Sequence, residues 1–309
     1  FRHKMRIFAE HNDTTTMKRR YPLAFLLICG ALAATAVAPT GCNTAERPDA
    51  RPMFVTIAPL RTLVETIVGD DFRVEVLVPD GASPETFEPT PRQFIALNEA
   101  RKVFSVGLLD FETALTARLA DTSALVHLAR GIETIAGSCS HAHPTHRHAH
   151  GVDPHVWTSP RELGIMASNA YEAIRRTFPD SAKYERNYLE LKRRIEELDA
   201  ETADRIARSG LRSFIVYHPA LTYYARAYGL EQLAIESEGK EPSARRLTEL
   251  IRRARTEGVR RIFYQRQYPV TVVATVAEDI GATPVEFDPL REDPIANIRT
   301  ITDLLTEEP

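Results

Sequence analysis

The stretch 181–209 constrains the fold more than any other part of this chain. No strand signal occurs there, and Tyr184, Tyr188, Leu191, Ile195 and Leu198 recur at steps of four and three, drawing one apolar stripe along a long helix. Glu185, Lys192, Arg193, Arg194, Glu196 and Glu197 form its solvated face. The stripe is too short for a free coiled coil, which needs three or four sustained heptads. The helix therefore has to lie along a folded body and join its parts.

What it joins is alike on both sides. Before it, β-branched runs at Phe54–Ala58, Val74–Val78, Lys102–Val106 and Leu125–Leu128 alternate with helix-period stretches at Leu60–Val68, Pro91–Ala100, Phe111–Leu119 and Pro160–Phe178. After it, strands are expected at Ser213–Tyr217, Leu233–Glu236, Arg261–Tyr264 and Pro284–Phe287. Helices are expected there at Pro219–Tyr228, Ser243–Glu257, Pro269–Ile280 and Pro294–Leu305. Such alternation is the pattern of βα units and parallel sheets. The expected fold is α/β: two lobes, each a mostly parallel four-stranded sheet with flanking helices, with a cleft between them. The N-terminal lobe spans 54–180, the linking helix 181–209 and the C-terminal lobe 210–309.

The front of the chain reads as export machinery. Residues 1–16 lack hydrophobic periodicity and are set aside as leader. Lys18-Arg19-Arg20, the apolar run Leu23–Ala38 and Pro39-Thr40-Gly41-Cys42 have the order of a secretory signal over 1–41. The run is shorter than the roughly 20 residues of a membrane span. Gly41-Cys42 resembles a lipobox, with Cys42 the lipidated residue, though Pro39 and Thr40 depart from its usual pattern. A soluble exported protein is the alternative. The polar stretch 42–53 is then a tether. A formal charge of -3 offers no basic face for a nucleic-acid backbone.

In open α/β sheets ligands sit beyond the carboxyl ends of strands. Four such loops carry a metal-binding side chain: Glu85 in Ser83-Pro84-Glu85-Thr86, His155 in Asp153-Pro154-His155-Val156-Trp157, His218 in Tyr217-His218-Pro219, and Asp288 in Asp288-Pro289-Leu290. Each could be an ordinary loop residue or, for a histidine, a core one. Together they make a shell of two imidazoles and two carboxylates for a divalent ion. Ahead of His155 lies a dense tract, His141, His143, His146, His148 and His150, with Cys139 beside it. Within 140–151 these side chains suit auxiliary capture of a transition metal, the alternative being a tolerated, solvated insertion. Neither an HExxH nor a GxSxG pattern occurs.

In this order, from Phe54 to about Leu305, these motifs resemble the zinc- and manganese-binding receptors of bacterial ABC importers, the cluster A-I or TroA-like solute-binding lipoproteins. Val216-Tyr217-His218-Pro219-Ala220 and Gly239-Lys240-Glu241-Pro242-Ser243 add to the match. The resemblance implies a non-enzymatic, extracytoplasmic, membrane-anchored monomer that delivers a metal to a membrane permease. It also implies that His155, His218 and Asp288 match ligand positions. Glu85 departs from the pattern, which usually has histidine there. A second carboxylate suits Mn2+, whereas the histidine tract favours Zn2+. Zinc is the expected cargo, with manganese or iron as the rival in the same class. A metal-dependent hydrolase and a surface adhesin are rivals in other classes. Water replaces Asp288 if that side chain points away. Ser243 is expected to cap a helix, and Gln265 and Gln267 to line the cleft. Capture is expected to weaken as pH falls through about 6.5, because both imidazoles must be neutral.

Overall fold

A computed structural model describes residues 51–137, 151–236, 242–268 and 270–307. They belong to one of two compact units, Glu46–Pro309; the other, Phe1–Ala45, lies outside them, as do Cys42, Cys139 and the five clustered histidines. Among the described residues no helix is long and apolar enough to cross a membrane.

The first half contains β1 (Met53–Val55), α1 (Ala58–Val68), β2 (Val74–Val76), α2 (Pro91–Glu99), β3 (Lys102–Ser105), α3 (Asp110–Arg118), β4 (Leu125–His127) and α4 (Pro160–Thr177). Its sheet has the order β2-β1-β3-β4, with every neighbouring pair parallel. After α5 (Ala182–Ser209) come β5 (Ser213–Val216), α6 (Thr222–Tyr228), β6 (Glu231–Ala234), α7 (Ala244–Glu257), β7 (Arg261–Tyr264), α8 (Val270–Ile280), β8 (Thr283–Glu286) and α9 (Pro294–Thr306). The second sheet repeats the plan as β6-β5-β7-β8, again all parallel. Each sheet reverses its strand order beside its first strand, so the loops after β1 and β3, and after β5 and β7, open a crevice at one sheet end.

The linking helix α5 has a physical reason to be fixed in place. Its 28 residues, about 42 Å at 1.5 Å per residue, bury Tyr184, Leu191, Ile195, Leu198, Thr202 and Ile206 on one face. Tyr188 instead stacks on Tyr171 of α4, with ring centroids 4.3 Å apart and planes 2° from parallel. Near its start Lys183 pairs with Asp71 at 2.8 Å and Asn187 Nδ2 donates to Ile67 O at 3.0 Å. Near its end Arg205 pairs with Asp303 of α9, and Arg299 with Glu201 at 3.1 Å. Exposed pairs of this kind add little each. The apolar stripe carries the joint, and Gly210, at φ 68°, stops the helix.

One core runs through both halves, from Phe54, Phe104 and Trp157 to Phe214, Phe263 and Ile298, and a second, around Ile215, Leu233, Ile262 and Val276, belongs to the second half alone. Specific bonds cross the first. Trp157 Nε1 donates to Pro289 O at 2.8 Å, Thr158 Oγ1 to Ala220 O at 3.0 Å, and the Tyr223 hydroxyl to Asp153 O at 2.8 Å. The segment after β4 is therefore bonded to the loops after β5 and β8.

Most element boundaries fall within two residues of expectation. Two differ by three residues: β1 ends at Val55 rather than Ala58, which instead opens α1, and α6 begins at Thr222 rather than Pro219. Proline disfavours helical geometry in the residue before it, and Ala220 N donates to His218 O at 2.8 Å in a tight turn that holds His218 at the strand end. Ser243 caps α7, accepting from Arg246 N at 3.4 Å.

Glu112, buried at 2% exposure, fastens the strand ends of the first sheet. One oxygen accepts from Thr56 Oγ1 at 2.6 Å and Val106 N at 2.8 Å; the other accepts from the N–H groups of Gly107, Leu108 and Leu109. Burial pushes its carboxyl upward, opposed by these donors. Glu112→Gln turns an NH2 toward a donor and is expected to cost about 2 kcal/mol, read as a lower midpoint in urea with an unchanged slope.

Candidate metal centre

Glu85 sits in a loop whose end is fixed by helix capping. Thr90 Oγ1 accepts from Gln93 N while Gln93 Oε1 accepts from Thr90 N, and Gln93 Nε2 donates to Leu77 O at 2.9 Å. Inside the loop, Ser83 accepts from the N–H groups of Glu85 and Thr86. The carboxylate, 14% exposed, is turned inward to the crevice.

His155 is fixed by its own neighbour. Asp153 Oδ1 accepts from the His155 backbone N–H and from Nδ1, both at 2.9 Å. An ionised carboxylate has no proton to give, so Nδ1 is the donor and Nε2 faces the crevice with its lone pair available. Burial would raise Asp153, but the His155 imidazole and backbone N–H, together with Thr222, hold it below the ordinary carboxylate range. His218 repeats the device, with Glu236 Oε2 3.2 Å from its Nδ1.

The outcome is a cluster. Ligand atoms of Glu85, His155 and His218 lie within 4.8 Å of one another. Glu85 Oε1 is 2.9 Å from His218 Nε2 and 3.9 Å from His155 Nε2. Both histidines are buried, and the cavity they line measures about 30 Å³, the space of roughly one water molecule. Burial opposes charge on His218, but Glu236 and Glu85 outweigh it and raise its pKa from 6.5 to about 9. His218 thus holds its proton more tightly than an ordinary imidazole does.

The family described as "ZnuA: Zinc-uptake complex component A periplasmic" matches residues 53–307. The chain belongs to this family. It is 31% identical over 246 residues to a putative metal-binding protein of Treponema pallidum, covering 76% of this chain and 78% of that one. To the zinc-binding lipoprotein AdcA of a Streptococcus pneumoniae strain it is 26% identical over 262 residues, covering 81% of this chain but only 52% of AdcA. The chain therefore spans about half the length of that relative. A crystal structure of ZnuA is 33% identical with a TM-score of 0.74, covering 84% of this chain and 98% of that one.

Among the four expected ligands, Asp288 is the one the structure does not bring in. It is exposed, its Oδ1 accepts from Leu290 N at 2.8 Å, and it borders a separate cavity with Arg61, Arg291 and Glu292. The strand end puts its backbone where expected, but the nearby amide captures the carboxylate. Of the four expected residues, the structure brings together two imidazoles and one carboxylate.

Three neighbours of the cluster were not singled out for it from the sequence. Asp153 and Glu236 orient the imidazoles; the i, i+2 spacing of Asp153 and His155 was a usable signal, whereas nothing in the sequence linked Glu236 to His218. The third is Tyr268, which the turn Gln265–Tyr268 folds back over His218, with ring centroids 5.1 Å apart and planes at 16°. Gln265, buried at 2%, donates to His218 O at 3.3 Å, and its Oε1 has no hydrogen-bond partner among the described residues. Gln267 lines the same cavity but is exposed.

Proposed function

We propose that this protein is an extracytoplasmic receptor that binds one zinc ion through Glu85 Oε1, His155 Nε2 and His218 Nε2 and passes it to an ABC permease. The observation that carries this reading is the convergence of three donors from both sheets on a space of about 30 Å³. Two imidazoles and one glutamate with a fourth position for water are a known zinc set. Each imidazole is backed by a carboxylate, the arrangement that orients and strengthens metal-ligating histidine. The family's description as a zinc-uptake component, rather than any class of enzyme, weighs against the hydrolase reading. The family's zinc-uptake description and the zinc-binding name of AdcA support the choice of metal. Anchoring through a lipid on Cys42 and function as a monomer belong to the same proposal.

The histidine tract is proposed as a collector. The described chain leaves at Ala136 and returns at Val152 through an antiparallel bridge, three residues before His155. His141, His143, His146, His148 and His150 lie in sequence between these two described ends and are proposed to hand metal on to His155. Purified protein equilibrated with equal, limiting zinc and manganese is expected to retain one tightly held zinc. Deletion of 140–150 is expected to remove weaker zinc equivalents and leave that one. Retention of manganese instead would sink the zinc assignment, and loss of the tight ion on deletion would put the site in the tract.

A further inference from the structure

The two oxygens of Glu85 are not equivalent. Oε1 faces both Nε2 atoms, whereas Oε2 accepts from the Tyr268 hydroxyl at 3.3 Å. That hydroxyl is held by its ring: Tyr268 stacks on His218 and packs against Tyr217, with centroids 5.2 Å apart. From this geometry we infer that Tyr268 is a specificity-determining residue that keeps Glu85 monodentate and so favours zinc over ions of higher coordination number. The inference rests on the reading of Glu85, His155 and His218 as ligands.

The argument is one of ligand count. Zinc is content with four donors, which three side chains and one water supply. Manganese prefers six oxygen-rich positions, and in a small cavity a bidentate carboxylate is the readiest way to add one. A hydroxyl proton on Oε2 competes with the metal for that oxygen. It also draws charge from the carboxylate, which weakens a hard-ion site more than one dominated by imidazole. The stacked His218 ring limits how far the tyrosine can withdraw, so the hydroxyl and one ligand ring form a single packed unit.

The test uses the mature protein as wild type, Tyr268→Phe and His155→Ala, titrated with Zn2+ and Mn2+ against a chelator. Phenylalanine keeps the ring stack and removes only the hydroxyl. The zinc-to-manganese affinity ratio is expected to fall about tenfold in Tyr268→Phe, at the lower end for loss of a supporting hydrogen bond. Co2+-substituted protein supplies a second readout: its visible absorption should weaken in Tyr268→Phe as a five- or six-coordinate ion replaces a tetrahedral one. If both readouts match wild type while His155→Ala loses zinc, Tyr268 does not set specificity and the ligand assignment stands. If His155→Ala binds zinc as wild type does, the ligand assignment fails and the inference fails with it.

Discussion

His155→Ala and His218→Ala are each expected to lower zinc affinity by about a hundredfold to a thousandfold. A four-ligand zinc site in a small domain is worth roughly 10–16 kcal/mol, or about 3 kcal/mol per ligand, and about 1.4 kcal/mol is a factor of ten in affinity. The orienting carboxylates give an internal scale. Asp153→Asn and Glu236→Gln leave the ring nitrogens in place and loosen only their aim, so about a tenfold to hundredfold loss is expected. The order matters more than the absolute values. Substituting a supporting residue should never cost more than substituting the histidine it supports. Asp288→Ala belongs on the same scale as a near-neutral change, because its carboxylate is engaged by Leu290 N. Equilibrium competition with a zinc chelator reads all five variants. A deeper loss for Asp288→Ala than for His155→Ala would restore Asp288 to the shell and remove His155 from it.

The reach of the sequence can be judged from these same residues. Strand positions were legible because β-branched runs such as Phe214-Ile215-Val216 are bounded by turn residues, and the ligand-bearing loops followed from the carboxyl ends of those strands. The long helix was legible from its stripe. What such patterns locate is the backbone. Whether a side chain then turns toward the crevice depends on which hydrogen-bond partner lies nearest. That competition separates Asp288, captured within its own loop, from Glu85, whose loop is closed by Ser83 and the Thr90 cap and leaves the carboxylate to face inward. Tyr268 and Glu85 are 183 residues apart, and their contact arises only when the two halves come together. No local period records it.

Zinc affinity is expected to rise by about fiftyfold between pH 7 and pH 9, close to one decade per unit at first and levelling off near 9, for the single proton that the ion displaces. The proton is the one His218 holds between Glu236 and Glu85 with a pKa of about 9, so the window lies above the value near 6.5 expected of an ordinary imidazole. Calorimetry at pH 7.5 in buffers of different ionisation enthalpy should report release of about one proton per zinc. Stability moves the other way in the metal-free protein. Because the folded pKa lies above the unfolded one, the protonated His218 contributes about 3 kcal/mol that is fully present below pH 6.5 and is lost as pH rises through 9. Zinc takes over the proton's place between the same groups. The melting temperature of the metal-free protein should therefore fall from pH 6.5 to 9 while the zinc-induced increase in melting temperature grows. A pH-independent affinity with no proton released would mean that His218 is not the group the metal displaces. His218→Ala supplies the control, since its residual zinc binding should lose this slope above pH 7.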